Sequence, residues 1–389
     1  MVSLPELLDE YYARAEFHPL DALQRREFAF QAWDAPGPND RHHTLNSIDL
    51  LRSIIRIKKP KAVFASNARY LDPGHPTMAK KTNIGVDLAF DFDFGDLPEH
   101  ELPGDFWGNM DAVAKHVQRL LEETFPMLGL CAEDALVSFS GGKGFHVRLM
   151  TDAALRLNRN QRRMLRDFVR GNGLEDYHTF GRGRMKNGKY AASWSPDVEG
   201  GWPGHFSRSA ELYLRQVREL PYAGAIEFVK ANLPVQKSGK NKGQKKNPTD
   251  ETIVEIVEAI RSNSSMLTGG VFKTMFRTVK QGSLVGDSIA HYAVLMNGCA
   301  IDLSVTDDMR RILRLPGSIH GKTGLPCVVL SREEINAESV KAKVAQVIGD
   351  DIVDVALPHI VETPFGAFKD ETSLPRYQAL AALAAIANE

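Results

Sequence analysis

Apolar and polar positions alternate most strictly at residues 86–94, "VDLAFDFDF", where Val86, Leu88, Phe90, Phe92 and Phe94 are separated by Asp87, Ala89, Asp91 and Asp93. A period of two predicts a β-strand with one greasy face and one face of carboxylates. Alternation followed by "GGKG" and further alternation predicts a β-hairpin from "ALVSFS" and "FHVRLM". Short apolar runs predict strands at "KAVFAS", "CAIDLSV" and "CVVL".

Helical spacing predicts helices over 3–33, in two pieces, and over 45–57, 109–125 and 158–171, the last of them basic and ended by Gly171. The pattern from 207 to 290 is mostly helical, broken by the lysine-rich "QKSGKNKGQKKNPTDE". A short helix "TDDMRRILR" and a terminal helix "SLPRYQALAALAAIAN" complete the pattern. Strands and helices alternate around one clear hairpin. The expected architecture is therefore an α/β or α+β core with a mixed sheet and a helical insertion.

Composition changes this picture little. The 389 residues are 43% hydrophobic, and 48 Lys+Arg against 49 Asp+Glu leave a net charge of −1, so any polyanion must be met by local basic patches. The three cysteines, Cys131, Cys299 and Cys327, have no C-x-x-C spacing and cannot form a disulfide framework, which suits a reducing cytoplasm. The N-terminal "MVSLPELLDEYYARAEF" is not the pattern of a signal peptide, and no apolar run has the length of a membrane span.

The chemistry concentrates in three clusters. Asp91 and Asp93 share a strand face with Cβ atoms about 7 Å apart, and at that distance they repel by roughly 2–3 kcal/mol. A cation between them relieves the repulsion, and a D-x-D strand can span a pair of Mg²⁺ ions about 3.5–4 Å apart. The alternative is a solvated outer face.

The hairpin "SFSGGKGFHVR" is the second cluster. Gly141 and Gly144 let backbone N–H groups approach an anion, and Ser140, Lys143, His146 and Arg148 converge on the same turn. The alternative is a tight turn with an incidental histidine. The third cluster supplies Asp302, then Arg310, Arg311 and Arg314, then Ser318, His320, Lys322 and Thr323 around Gly and Pro. For Arg310 and Arg311 a solvated face is the plainer reading.

These clusters resemble the motifs of the catalytic small subunit of archaeal and eukaryotic-type DNA primases. "DLAFDFDF" looks like the family's D-x-D strand. "SFSGGKGFHV" is similar to its S-G-x-x-G-x-H hairpin, and "IDLSVTDDMRRILRLPGSIHGKTGL" to its I-D strand followed by R-x-P-x-S-x-H-x-K-T-G. Weaker echoes at "RREFAF", "VFASNARY", "GWPGHFSR" and "LPRYQALAALA" extend the match almost end to end.

The resemblance implies an α+β core built on an RRM-like sheet, and template-directed nucleotidyl transfer with two Mg²⁺ or Mn²⁺ ions. Asp91, Asp93 and Asp302 would be the metal ligands. Ser140, Lys143 and His146, with Gly141, Gly144 and Arg148 beside them, would meet the nucleoside triphosphate from the hairpin. Arg314, His320 and Lys322, with Ser318, would meet it from the third block.

The implied division is a catalytic core over 1–206 and 290–389, interrupted at 207–289 by a helical insertion with a flexible loop at 236–249. Implied partners are single-stranded DNA, nucleoside triphosphates and a large subunit in a heterodimer; the implied location is cytoplasmic, at the nucleoid, with no membrane role. Template candidates are "RIKKPK" at 56–61, the arginines at 156, 159, 162, 163 and 166, and the lysine loop at 237–246.

One departure stands out. The family's zinc knuckle is missing between the first two motifs, since 94–139 offers only His100, His116 and Cys131, so no structural zinc is expected. Rival readings are a stand-alone replicon-encoded or repair primase-polymerase, a catalytically silent DNA-binding subunit, and a metal-dependent phosphatase or nuclease. The last has no need of two triphosphate-facing loops.

Overall fold

A computed structural model describes residues 1–18, 20–174, 182–186, 189–193, 200–234, 246–262 and 282–389. The lysine-rich loop lies, over 235–245, outside the described residues. The chain divides into two compact units, 1–166 with 300–389 and 167–299. The first holds every candidate site residue.

The architecture is α+β, and all described strand pairings are antiparallel, in place of the expected mixed sheet. After helix α1 (Leu4–Arg14) the chain enters β1 (Arg26–Gln31), buried at all six residues. The second helical piece expected within 3–33 is thus a strand instead. Arg26 and Glu27 obscure it, because their burial depends on partners far along the chain. Strand β1 lies between β2 (Asp40–His43) and β3 (Ala62–Tyr70). Helix α2 (Ile48–Lys58) connects these two, with Ser47 as N-cap accepting from the Leu50 N–H at 3.1 Å.

The 86–94 segment is split. Strand β4 (Asn83–Val86) pairs with the end of β3, and β5 (Leu88–Asp93) belongs to a second sheet. Asp87 is the crossover, its N–H donating to the Asn67 carbonyl at 2.9 Å. The second sheet has the order β11-β6-β7-β5, with β6 (Ala135–Phe139), β7 (Gly144–Leu149) and β11 (Val328–Leu330). Phe90, Phe92, Phe139, Phe145, Val147 and Leu149 are fully buried, with helix α3 (Phe106–Arg119) contributing Met110, Val113 and Val117.

Two further expectations change around Asp302. "CAIDLSV" forms a turn rather than a strand, and "TDDMRRILR" forms no helix. Its end is β10 (Ile312–Arg314), which pairs with Phe64–Ser66 of β3. Leu313 packs with Ala89 and Val305 in a small buried cluster, so the polar face of β5 is covered there and not simply solvated. The remaining strands are a hairpin of β8 (Arg182–Lys186) with β9 (Lys189–Ser193) in the second unit, and a long hairpin of β12 (Ile352–Thr363) with β13 (Gly366–Pro375). The second unit is otherwise helical where described, around a core of Tyr213, Val217, Ile256 and Ile289.

Candidate functional site

Strand pairing builds the site. Asp91 lies opposite His146 in the β5–β7 register, and His146 lies opposite Ser138 in β6–β7. His146 Nε2 is 3.6 Å from Asp91 Oδ1. Arg148 sits two residues on, opposite Ala89. Asp93 faces Gly144, where a Cβ would fall 1.7 Å from the Phe92 carbonyl oxygen, so only glycine lets the strands meet. From about 210 residues away Asp302 reaches the same strand, its N–H donating to the Asp91 carbonyl at 2.9 Å.

The three carboxylates are neighbours, yet their oxygens are not gathered into a cage. Among the described residues no three His, Cys, Asp or Glu side chains form a ready metal-ligand group. Asp93 Oδ1 accepts from the Gly95 N–H at 2.9 Å, and Asp302 Oδ1 accepts from the Ser304 N–H and hydroxyl at 2.6 and 2.8 Å. Asp302 also lies 3.9 Å from Arg311.

The cost of assembly falls on Asp91. Burial, and then the Asp302 carboxylate, push its carboxyl up to about 7, with Asp93 adding to the effect and Arg311 opposing it. A divalent cation would relieve this strain, and three oxygen-donor side chains are the kind that Mg²⁺ or Mn²⁺ takes. The donor set therefore fits the implied metals, and Asp91, Asp93 and Asp302 are the residues that would hold them.

The basic half is docked more tightly. Gly141 takes φ +76°, and its turn lies flush against the third block: a Cβ at this position would fall 2.7 Å from the Leu325 carbonyl oxygen and 3.0 Å from His320 Cβ. Thr323 donates its hydroxyl to the Gly141 carbonyl, and Arg314 Nη1 donates to the Ser140 carbonyl. The Ser140 hydroxyl accepts from the Gly142 N–H at 3.1 Å. Lys143 and Lys322 are exposed. Burial, with Arg314 adding charge repulsion, holds both His146 and His320 well below the ordinary imidazole range, so both rings are neutral at pH 7. Among the described residues, none hydrogen-bonds the buried Arg314 Nε.

Some expected site residues do other work. Ser318 is completely buried, and its hydroxyl accepts from the Val63 N–H at 2.7 Å. Arg162, expected among the template arginines, is 1% exposed and grips the carbonyls of Val86, Asp87, Ala154 and Leu157. Arg163 and Arg166 both face Asp307, at 3.6 and 3.2 Å. His116 is buried against Glu101 at 2.8 Å. No motif in the sequence announces the buried group beneath the site. There Asp87 accepts from both Nη atoms of Arg26 at 2.7 and 3.1 Å, with Arg69 and Arg148 each 3.7 Å away.

Comparison with known proteins adds a second line of observation. The family model for the DNA primase small subunit matches residues 90–332. The DNA primase small subunit PriS of Methanothrix thermoacetophila is 30% identical, over 96% of this chain and 95% of that protein. The one from Methanocella arvoryzae is 30% identical over 92% and 90%, and the one from Haloarcula marismortui 29% over 84% and 81%.

Proposed function

Because this chain belongs to the DNA primase small subunit family, we propose that it is the catalytic subunit of a primase, a nucleotidyltransferase that builds short primers on single-stranded DNA from nucleoside triphosphates. In each step a 3′-hydroxyl attacks the α-phosphorus of the incoming nucleotide and pyrophosphate leaves. The observation that supports this most is the hydrogen bond from Asp302 to Asp91, which sets the third acid beside the D-x-D strand and next to the Gly-Lys-His hairpin.

Mg²⁺ or Mn²⁺ held by Asp91, Asp93 and Asp302 would supply charge neutralisation and a more acidic attacking hydroxyl. The chain's own work is positioning. Lys143 and Lys322 offer exposed ammonium groups to the polyphosphate. Arg314, fixed by Ser140, is a preset guanidinium. The neutral rings of His146 and His320 serve as hydrogen-bond donors. Its partners on this reading are a primase large subunit and the template, and its location is cytoplasmic, at the nucleoid. Among the described residues no helix is long and apolar enough to cross a membrane.

The test is incubation with unprimed single-stranded DNA, Mg²⁺ or Mn²⁺, and ribo- or deoxyribonucleoside triphosphates. New oligonucleotides are expected. Extension of annealed primers alone would point to a stand-alone polymerase, and no product with any metal or nucleotide would leave a silent binding subunit.

A further inference from the structure

The basic run at 56–61 does not act as one surface. Lys58 and Lys59 are half-exposed and paired with Asp40 and Asp9. Lys61 points the other way. It is 7% exposed, and among the described residues no hydrogen bond or ion pair reaches its ammonium group. Its N–H, bonded to the Gln31 carbonyl at 2.7 Å, fixes the residue at the entry to β3. The side-chain stem then runs directly over Gly321. A Cβ on that glycine would fall 1.8 Å from Lys61 Cγ and 2.7 Å from Cδ and Cε. The loop "IHGKTG" thus leaves room for this one lysine.

Its head lies 5.9 Å from the centre of the Trp33 ring. It also shares its surroundings with the charge of Lys322, which adds to burial in lowering the Lys61 pKa, and His320 responds to both lysines. Two neighbouring ammonium groups repel, and a polyanion that arrives between them relieves the repulsion. Neither a solvated face nor a template-tracking surface needs a lysine in this position.

We infer that Lys61 is a further binding residue for the polyphosphate of the incoming nucleotide, reaching it beneath Gly321 and beside Lys322. This rests on the nucleotidyltransferase reading above and names a residue that the motif resemblance does not contain. Removing one charge-assisted hydrogen bond corresponds to about a ten-fold change in affinity.

The test compares wild type with Lys61→Met, Lys61→Ala and Gly321→Ala. Lys61→Met is expected to raise KM for the nucleoside triphosphate about ten-fold with little change in kcat, and to weaken inhibition by inorganic pyrophosphate by the same factor. Affinity for single-stranded DNA, its salt dependence and the melting temperature should not fall. Gly321→Ala should reproduce the KM change by displacing the stem, and the Lys61→Ala/Gly321→Ala double variant should be no worse than Lys61→Ala.

Unchanged KM and pyrophosphate inhibition would overturn the inference, as would lowered DNA affinity with a shallower salt slope, or a loss of thermal stability alone. Calorimetric titration with a nucleoside triphosphate separates the two levels. If wild type binds it more tightly than Lys61→Met but makes no product, the primase reading fails and Lys61 stands. If synthesis proceeds and Lys61→Met is unaffected, only the Lys61 assignment fails, and no triphosphate binding at all would remove both.

Discussion

Asp91→Asn is expected to lower primer synthesis by at least about three orders of magnitude while leaving affinity for single-stranded DNA unchanged. In a two-metal site several kcal/mol of transition-state stabilisation would depend on the metals, and each 1.36 kcal/mol is about ten-fold in rate. Asparagine keeps the shape and removes the charge. Asp91 is the choice among the three acids because it stands at the centre: opposite His146 in the sheet, bonded through its carbonyl to Asp302, and most affected by the other two carboxylates.

The same substitution should make the metal-free chain more stable. A carboxyl raised from 3.8 to about 7 holds its proton more tightly in the folded state than in the unfolded one. Its unfavourable contribution therefore begins above pH 4 and is complete above pH 7. Wild type without metal should lose melting temperature relative to Asp91→Asn as pH rises through that window, and added Mn²⁺ should narrow the gap in wild type alone. Equal pH profiles for the two proteins would remove this account of Asp91.

The second large effect is on folding. Asp87→Ala is expected to destabilise the chain by about 3–5 kcal/mol, read as a lower urea midpoint with an unchanged slope. Arg26 and Asp87 have fully buried side chains, and Arg148 is almost as deep, with one Nη that no described residue hydrogen-bonds. Without Asp87, these guanidinium groups would be buried next to one another with no carboxylate. The crossover from the first sheet to the second would weaken with them, and so would the seat of Asp91 and His146. A loss below about 1 kcal/mol would mean that backbone and solvent already satisfy these arginines.

What the sequence discloses follows from how local each signal is. The β5 phenylalanines and the GGKG turn carry their pattern within about ten residues, and both lie where the alternation puts them. Strand β1 is hidden because "REFAFQ" reads as a charged helical stretch until Asp87 and Lys81 arrive to bury Arg26 and Glu27. Strand β10 is hidden by "TDDMRRILR", whose acidic start and arginine spacing suit a helix, although Leu313 must pack on Ala89. The β12–β13 hairpin escapes notice because the middle of β13, "KDETS", is polar and largely exposed, even though Val353, Val355, Leu357 and Val361 of β12 alternate into the core. Of the expected site, the acids and the two glycine-containing loops are brought together. Ser318 and Arg162 are drawn into the core, and Lys61, expected on a template surface, packs its stem over Gly321.

If Asp91, Asp93 and Asp302 share a divalent-metal site beside the two loops, anomalous diffraction from crystals soaked in Mn²⁺ and a non-hydrolysable nucleoside triphosphate will show it. Manganese peaks are expected at ordinary metal–oxygen distance from carboxylates of all three residues, with the polyphosphate reaching toward Arg314, His320 and Lys322. Bound nucleotide with no manganese at these carboxylates, or manganese held elsewhere, would contradict the shared site.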